Sequence, residues 1–103
     1  MIIVSRTNTL YNLDINMKQI VLEELSSPGC HSCKAFEEFW HKIEDQFPNV
    51  QYKNVSIITP EGTELAGKHM ILASPGIIIN GELFSTGGVN NESLVKKLKE
   101  LSQ

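Results

Sequence analysis

The chain contains two cysteines, Cys30 and Cys33, which lie where an apolar segment typical of a strand gives way to a helical pattern. The apolar segment covers residues 19–25, and a turn of sequence Ser-Ser-Pro-Gly at 26–29 ends it. A thiol in the first turn of a helix faces unpaired backbone N–H groups and the positive end of the helix dipole. Both favour the thiolate, which is the reacting species in disulfide exchange. The second cysteine lies one turn further along the same face, where it can close a disulfide.

The length of 103 residues indicates a single domain with one modest hydrophobic core. Hydrophobic residues make up 41% of the chain and the net charge is -3, so the composition is that of an ordinary globular protein. Clustered Lys and Arg on a basic chain would mark a nucleic-acid partner, and this acidic chain predicts none. No apolar stretch approaches the roughly 20 residues that cross a bilayer, and the N-terminus is a poor signal peptide. We therefore expect a cytoplasmic monomer that does not bind membranes.

A lone cysteine pair in a cytoplasmic protein is more often catalytic or redox-sensing than structural. A disulfide across only two intervening residues also removes little chain entropy, so it would add little to stability. Metal binding is an alternative, but a closed zinc site needs about four ligands. The chain has three histidines, one of them inside the cysteine loop, so a monomer does not readily supply four zinc ligands. A dimer in which two cysteine pairs bind one zinc ion is the remaining form of this alternative. We predict no metal and no tightly bound cofactor.

Apolar periodicity predicts the element order β-α-β-α-β-β-α from residue 18. Residues 1–17 show no steady period and are interpreted as an N-terminal extension that could hold one short extra strand, while residues 18–103 form the domain. Cys33 belongs to the apolar stripe of the first helix, so we expect it to be buried and Cys30 to be more accessible. The stripe consists of residues three and four positions apart, namely Cys33, Phe36, Phe39, Trp40, Ile43 and Phe47.

The second half of the domain carries strong local signals. Thr59 and Pro60 indicate a helix start, with a hydroxyl N-cap followed by a proline in the first turn. Asn80 and Gly81 form the strongest short hairpin signal. The predicted elements are a strand over 50–58, a helix from 60 to about 70, strands over 77–79 and 83–86, and a final helix marked by leucines between 94 and 101.

This order, with the cysteine pair at the first strand-to-helix junction, resembles the thioredoxin superfamily over roughly residues 18–103. The resemblance implies an α/β fold of three layers, α/β/α, around a central mixed sheet of four strands, or five with an N-terminal strand. It also implies that Pro75 is cis and lies beside the cysteines, where the backbone around Ser74 and Pro75 can pair with an extended substrate. An ordinary loop proline is the alternative, since X-Pro bonds are cis only about one time in twenty.

Features that would assign a branch of the superfamily point in two directions. The approach to Cys30, and Gly87-Gly88 after the hairpin, resemble glutaredoxins, in which backbone groups and a helix N-terminus receive a glutathione carboxylate. The lysine that is usual there is Ser27 here, and the usual acidic pair is Asn90-Asn91, so charge is missing from glutathione recognition. Gly87 and Gly88 would contact substrate through their backbone or be needed only for positive φ. Small bacterial and archaeal thioredoxin-like proteins of mixed character fit at least as well.

Glu24 lies six residues before Cys30, where thioredoxins carry a buried acid near the second cysteine. On a strand covered on both faces the carboxyl would be desolvated, so its pKa would rise and it could take the proton from Cys33. A carboxylate turned to water at a sheet edge is the alternative. His31, next to the nucleophile, would stabilise the thiolate if protonated, or would be an exposed loop histidine with little effect.

The sequence therefore predicts a thiol-disulfide oxidoreductase. Cys30 attacks a substrate disulfide to form a mixed disulfide, which Cys33 resolves. The predicted substrates are protein disulfides or glutathione mixed disulfides, with glutathione as a candidate co-substrate and a thioredoxin reductase as a candidate electron donor. The alternatives are a metal-binding module and a redox-switched binding domain that uses the same fold without turnover.

Overall fold

A computed structural model describes residues 17–103, in which four strands and three helices follow the order β-α-β-α-β-β-α. The predicted order is therefore confirmed, and residues 1–16 of the predicted N-terminal extension lie outside the described part. A short 3-10 helix, Glu44–Gln46, follows the first α-helix. The strands are β1 (Ile20–Ser26), β2 (Val50–Ser56), β3 (Gly76–Ile79) and β4 (Glu82–Thr86), and the helices are α1 (His31–Ile43), α2 (Pro60–His69) and α3 (Asn91–Ser102).

The four strands form one mixed sheet in the order β2-β1-β3-β4. Strand β1 runs parallel to β2, with Glu24 opposite Asn54, and antiparallel to β3, with Glu24 opposite Ile77. Strands β3 and β4 form an antiparallel hairpin. Strand β1 is therefore an interior strand, with β2 on one side and β3 on the other.

Two hydrophobic clusters pack the two faces of this sheet. On one face, Ile20 and Leu22 pack with residues of α1 and α3, among them Trp40 and Leu98. On the other face, Leu25 packs in a smaller cluster, against which side chains of α2 lie. The side chains alternate along β1, so helices cover both faces and the three-layer arrangement is confirmed. Within residues 17–103 no helix is both long and apolar enough to cross a membrane.

Helix α2 shows why a glycine that weakens a helix in isolation is useful in the folded chain. Thr59 caps the helix by accepting a hydrogen bond from the backbone N–H of Gly62 at 3.0 Å, as predicted. A Cβ atom at Gly62 would overlap the carbonyl group of Ser56, so only glycine lets α2 approach the end of β2 this closely.

The predicted hairpin between β3 and β4 is also confirmed, with φ of 51° at Asn80 and 82° at Gly81.

Candidate functional site

Cys30 and Cys33 form a disulfide at the N-terminus of α1, with their Cα atoms 5.2 Å apart. Cys30 is the N-cap residue, and its Sγ accepts a hydrogen bond from the backbone N–H of Cys33 at 3.1 Å. A neutral sulfur is a weak acceptor in this role, whereas an oxygen is usual. An ionised sulfur accepts more strongly, so the same N–H group would stabilise the thiolate after reduction.

The two sulfurs differ in access to solvent, as the apolar stripe predicted. Cys33 is 3% exposed, whereas Cys30 is half-buried and faces an open groove of about 560 Å³. His31 is exposed and lines this groove beside Cys30. We call this space the cysteine groove; it is formed by residues 26–31 with Cys33, Lys34, Glu37, Asn54 and Ser56.

The loop before β3 brings Ser74 against the cysteine pair. The Ser74–Pro75 peptide bond is cis, as the resemblance predicted, and Pro75 is fully buried. The Ser74 hydroxyl donates a hydrogen bond to Cys30 Sγ at 3.3 Å, and its Oγ lies 2.6 Å from Ser27 Oγ. Sequence reasoning missed both contacts, since Ser27 drew attention only for the lysine that it replaces.

Glu24 is fully buried on the interior strand β1. The hydroxyl of Tyr52 donates a hydrogen bond to Glu24 Oε1 at 2.5 Å, and Asn54 Nδ2 donates to the same oxygen at 3.3 Å. The second oxygen, Oε2, is buried and has no hydrogen-bond partner among the described residues. Of the two sequence interpretations, the buried acid is therefore right and the carboxylate facing water at a sheet edge is wrong, because β2 and β3 flank β1.

Burial raises the pKa of Glu24 from 4.5 to about 8, because the carboxylate would lose its hydration. The Tyr52 hydrogen bond opposes this rise by stabilising the charged form, whereas Glu37 adds to it through a hydrogen bond and through charge repulsion. Burial and then the hydrogen bond to Glu24 also raise the pKa of Tyr52, so its hydroxyl stays protonated and remains a donor. At neutral pH Glu24 is mostly protonated.

One side-chain amide joins the buried acid to the cysteine groove. Asn54 Nδ2, which donates to Glu24, also donates to Glu37 Oε2 at 3.0 Å. Glu37 lies on α1, one helical turn after Cys33, and lines the cysteine groove. The hydroxyl of Ser26 donates to Asn54 Oδ1 at 2.7 Å, which orients the amide. Neither Asn54 nor Glu37 was identified as a site residue from the sequence. The pairing of β1 with β2 places Asn54 directly opposite Glu24, so the strand register would have indicated Asn54.

The two predicted glycines have different environments. Gly87 has φ of 82°, and its backbone N–H donates to the carbonyl groups of Ala73 at 3.1 Å and Pro75 at 3.0 Å. These contacts tie the end of β4 to the loop that carries Ser74, so Gly87 has a clear conformational role. Gly88 has no positive φ and lines a separate groove of about 310 Å³ near the start of α3.

A smaller apolar groove of about 190 Å³ lies beside Ser74 and Ser27. Leu72, at its rim, is 95% exposed. The sequence offered one weak signal, a leucine two residues before the serine that precedes Pro75. We call this space the leucine groove; it is lined by Leu25, Ser27, Ile57, Ile71, Leu72, Ala73 and Ser74.

The metal-binding alternative finds no ligand set within residues 17–103. No group of three or more His, Cys, Asp or Glu side chains there is arranged to hold an ion. His41 instead contacts Glu44 Oε2 through Nδ1 at 3.1 Å on the exposed surface of α1. These residues of a single chain therefore do not supply the four ligands of a closed zinc site.

Comparison with known proteins agrees with this geometry. Residues 18–100 match the family model described as a thioredoxin domain. A thioredoxin of Methanocaldococcus jannaschii is 30% identical over 87 residues, which cover 82% of this chain and 98% of that protein. Fasciola hepatica thioredoxin superimposes with a TM-score of 0.67 at 16% identity, covering 93% of both chains. Oxidised mitochondrial thioredoxin 3 of Saccharomyces cerevisiae gives 0.66 at 20% identity, covering 92% of this chain and 90% of that one.

Proposed function

The chain belongs to the thioredoxin family of thiol-disulfide oxidoreductases, and we propose that it reduces protein disulfides in preference to glutathione mixed disulfides. The observation that carries this preference is the leucine groove, which shares Ser27 and Ser74 with the surroundings of Cys30. A thioredoxin reductase is the proposed electron donor. The cytoplasmic location and the monomeric state remain predictions.

Leu72 supports a polypeptide substrate. A single exposed leucine is unremarkable on a protein surface, but this one borders an apolar groove next to the nucleophile. An apolar side chain that flanks a substrate disulfide could cover Leu72 and enter the groove. Burial of one such side chain contributes about 1.5–3 kcal/mol, which is enough to favour peptides over small disulfides.

The region that resembles a glutathione site gives glutathione little charge to bind. The Asn90 side chain accepts a hydrogen bond from the backbone N–H of Ser93 at 2.9 Å, so an N–H group in the first turn of α3 already has an acceptor. Ser27 supplies no cation, and its hydroxyl is engaged with Ser74. Both features favour protein substrates over glutathione mixed disulfides.

The reaction transfers two electrons from the cysteine pair to the substrate. The Cys30 thiolate attacks one sulfur of the substrate disulfide, so a Cys30–substrate bond forms while the substrate bond breaks and one substrate thiolate leaves. Cys33 then loses its proton and attacks Cys30 Sγ. The second substrate thiolate leaves, and the Cys30–Cys33 disulfide remains.

Glu24 in its ionised form, which is the minority form at neutral pH, is the proposed acceptor of the Cys33 proton. It lies on the face of β1 that α1 covers, and it shares the Asn54 amide with Glu37, one turn after Cys33. A pKa of about 8 lets part of the Glu24 population ionise near neutral pH, and this carboxylate is basic enough to accept a proton. The Oε2 atom that has no partner leaves room for the proton.

Two assays test this function. Insulin is reduced with NADPH and a thioredoxin reductase as the electron source, and a glutathionylated thiol is reduced with glutathione. We expect turnover in the first assay and weak turnover in the second. Turnover of the glutathionylated thiol alone would contradict the proposal. Binding of a disulfide peptide without turnover in either assay would identify a redox-switched binding domain.

A matched pair of variants tests the leucine groove. Leu72→Ser should raise KM for insulin several-fold and leave the rate with a small aromatic disulfide unchanged, because only the polypeptide reaches the groove. Ile58→Ser is the control, since Ile58 is 74% exposed and does not line the groove. Equal effects of both variants on insulin would contradict a role of the groove.

A further inference from the structure

Two serine hydroxyls from separate segments of the chain meet beside Cys30, and one of them contacts its sulfur. Ser27 follows β1 and Ser74 precedes β3, yet their Oγ atoms lie 2.6 Å apart. Ser74 Oγ also lies 3.3 Å from Cys30 Sγ. All three residues are half-buried, so water competes only partly for these hydrogen bonds. The mechanism described above uses neither hydroxyl.

We propose that Ser27 and Ser74 form a hydroxyl relay that directs a hydrogen bond onto Cys30 and stabilises its thiolate in the reduced protein. This inference deepens the proposed function and rests on it. Ser74 contacts the reacting sulfur. Ser27 acts through Ser74 and is a positioning residue.

The number of protons determines the direction of the relay. A serine hydroxyl has one proton to donate and two lone pairs that accept. Ser74 donates its proton to Cys30 Sγ, so in the contact with Ser27 the oxygen of Ser74 accepts and Ser27 donates. A hydroxyl that accepts a hydrogen bond becomes a stronger donor, because a chain of hydrogen bonds polarises its members. Ser27 therefore orients and strengthens the bond to the sulfur.

The relay has unequal effects on the two redox states. A disulfide sulfur accepts hydrogen bonds weakly, whereas a thiolate carries a full charge and accepts charge-assisted bonds of about twice the usual strength. The relay therefore stabilises the reduced, ionised form more than the disulfide. It adds to the backbone N–H of Cys33, which faces the same sulfur at 3.1 Å. The reduced protein should ionise more readily at Cys30, and its disulfide should be easier to reduce.

The test is the pH midpoint of Cys30 ionisation in the reduced full chain, followed by the ultraviolet absorbance of the thiolate. Ser74→Ala should raise the midpoint by about one pH unit, the scale of a hydrogen bond to a charged group. Ser27→Ala should raise it by less. The double variant should match Ser74→Ala, because Ser27 acts only through Ser74. Ser74→Thr keeps the hydroxyl and should stay near the wild-type midpoint.

The redox equilibrium provides a second measurement. The comparison is made at a pH above the Cys30 midpoints of both wild type and Ser74→Ala. There, Ser74→Ala should shift the equilibrium with glutathione about tenfold toward the protein disulfide. This corresponds to a reduction potential lower by about 30 mV for this two-electron couple. Ser93→Ala is the control, because Ser93 is an exposed serine in the first turn of α3, and neither quantity should change. Circular dichroism verifies that each variant is folded.

Two results would overturn the relay. One is an unchanged midpoint in Ser74→Ala. The other is a Ser27→Ala effect of the same size whether or not Ser74 carries its hydroxyl. Both are measured without a substrate, so they leave the proposed function to the insulin assay. A wild-type chain that shows the expected midpoints and fails to reduce insulin would overturn the function instead.

Discussion

The two cysteines share one disulfide, yet their surroundings are opposite in character. Cys30 is half-buried in an open groove and accepts hydrogen bonds from the Ser74 hydroxyl and from a backbone N–H. Cys33 is buried within the apolar stripe of α1, on the face of the sheet that carries the buried acid Glu24. The contrast fits the two proposed chemical roles. A nucleophilic thiolate must be reachable by the substrate and is stabilised by hydrogen-bond donors, whereas the resolving thiol is kept from solvent and needs a base to take its proton.

The largest expected effect on insulin reduction comes from replacing each cysteine in turn by serine. Cys30→Ser should abolish insulin reduction, because the accessible nucleophile is lost. Cys33→Ser should leave the first attack intact and trap a mixed disulfide on Cys30. Mass spectrometry of the trapped adduct identifies the cysteine that carries the substrate. An adduct on Cys33 in the Cys30→Ser variant, with none on Cys30 in the other, would reverse the comparison.

Glu24→Gln tests the proposed base for the Cys33 thiol. The glutamine keeps the shape of the carboxyl and cannot take a proton, so the resolving step should slow by about a hundredfold, the lower end of general base catalysis. Formation of the mixed disulfide should be unaffected, since Cys30 makes the first attack. Rapid-quench measurement of the two steps separates these effects. Equal slowing of both would show that Glu24 does not distinguish the sulfurs.

The same residue should make stability depend on pH. The pKa of Glu24 is about 8 in the folded protein and 4.5 is the ordinary value, so between these pH values the folded chain holds a proton that the unfolded chain releases. The contribution to stability is fully present below pH 4.5 and is lost as pH rises through 8. Wild type should therefore lose a few kcal/mol relative to Glu24→Gln between pH 5 and pH 9. Urea unfolding at both pH values measures this difference, and parallel pH profiles would contradict it.

Two neighbours should shift the pKa of Glu24 in opposite directions, with smaller effects. Tyr52→Phe removes the hydrogen bond that lowers this pKa, so the value should rise further. Glu37→Gln removes the hydrogen bond and the repulsion that raise it, so the value should fall toward 4.5 while burial keeps it elevated. Carboxyl carbon NMR of Glu24 follows both titrations. Unchanged titrations in both variants would show that burial alone sets the pKa.

Much of the fold could be predicted from short stretches of the chain. The stripe through Cys33 determines which sulfur is buried, because spacing along a helix fixes a face. The positive φ angles at Asn80 and Gly81 follow from residue type, as does the cap at Thr59. The cis bond at Pro75 followed only from resemblance, since nothing in the local sequence specifies it.

The amino-acid sequence alone determined the element order and the placement of a cysteine at the start of a helix, because periodicity and capping depend on near neighbours. Tertiary structure alone decided that Glu24 is buried, since a strand becomes interior only when partners pair on both sides. It also decided that Ser27 meets Ser74, 47 residues later, and that Asn54 joins Glu24 to Glu37. Such contacts depend on how distant segments pack, which no local pattern encodes.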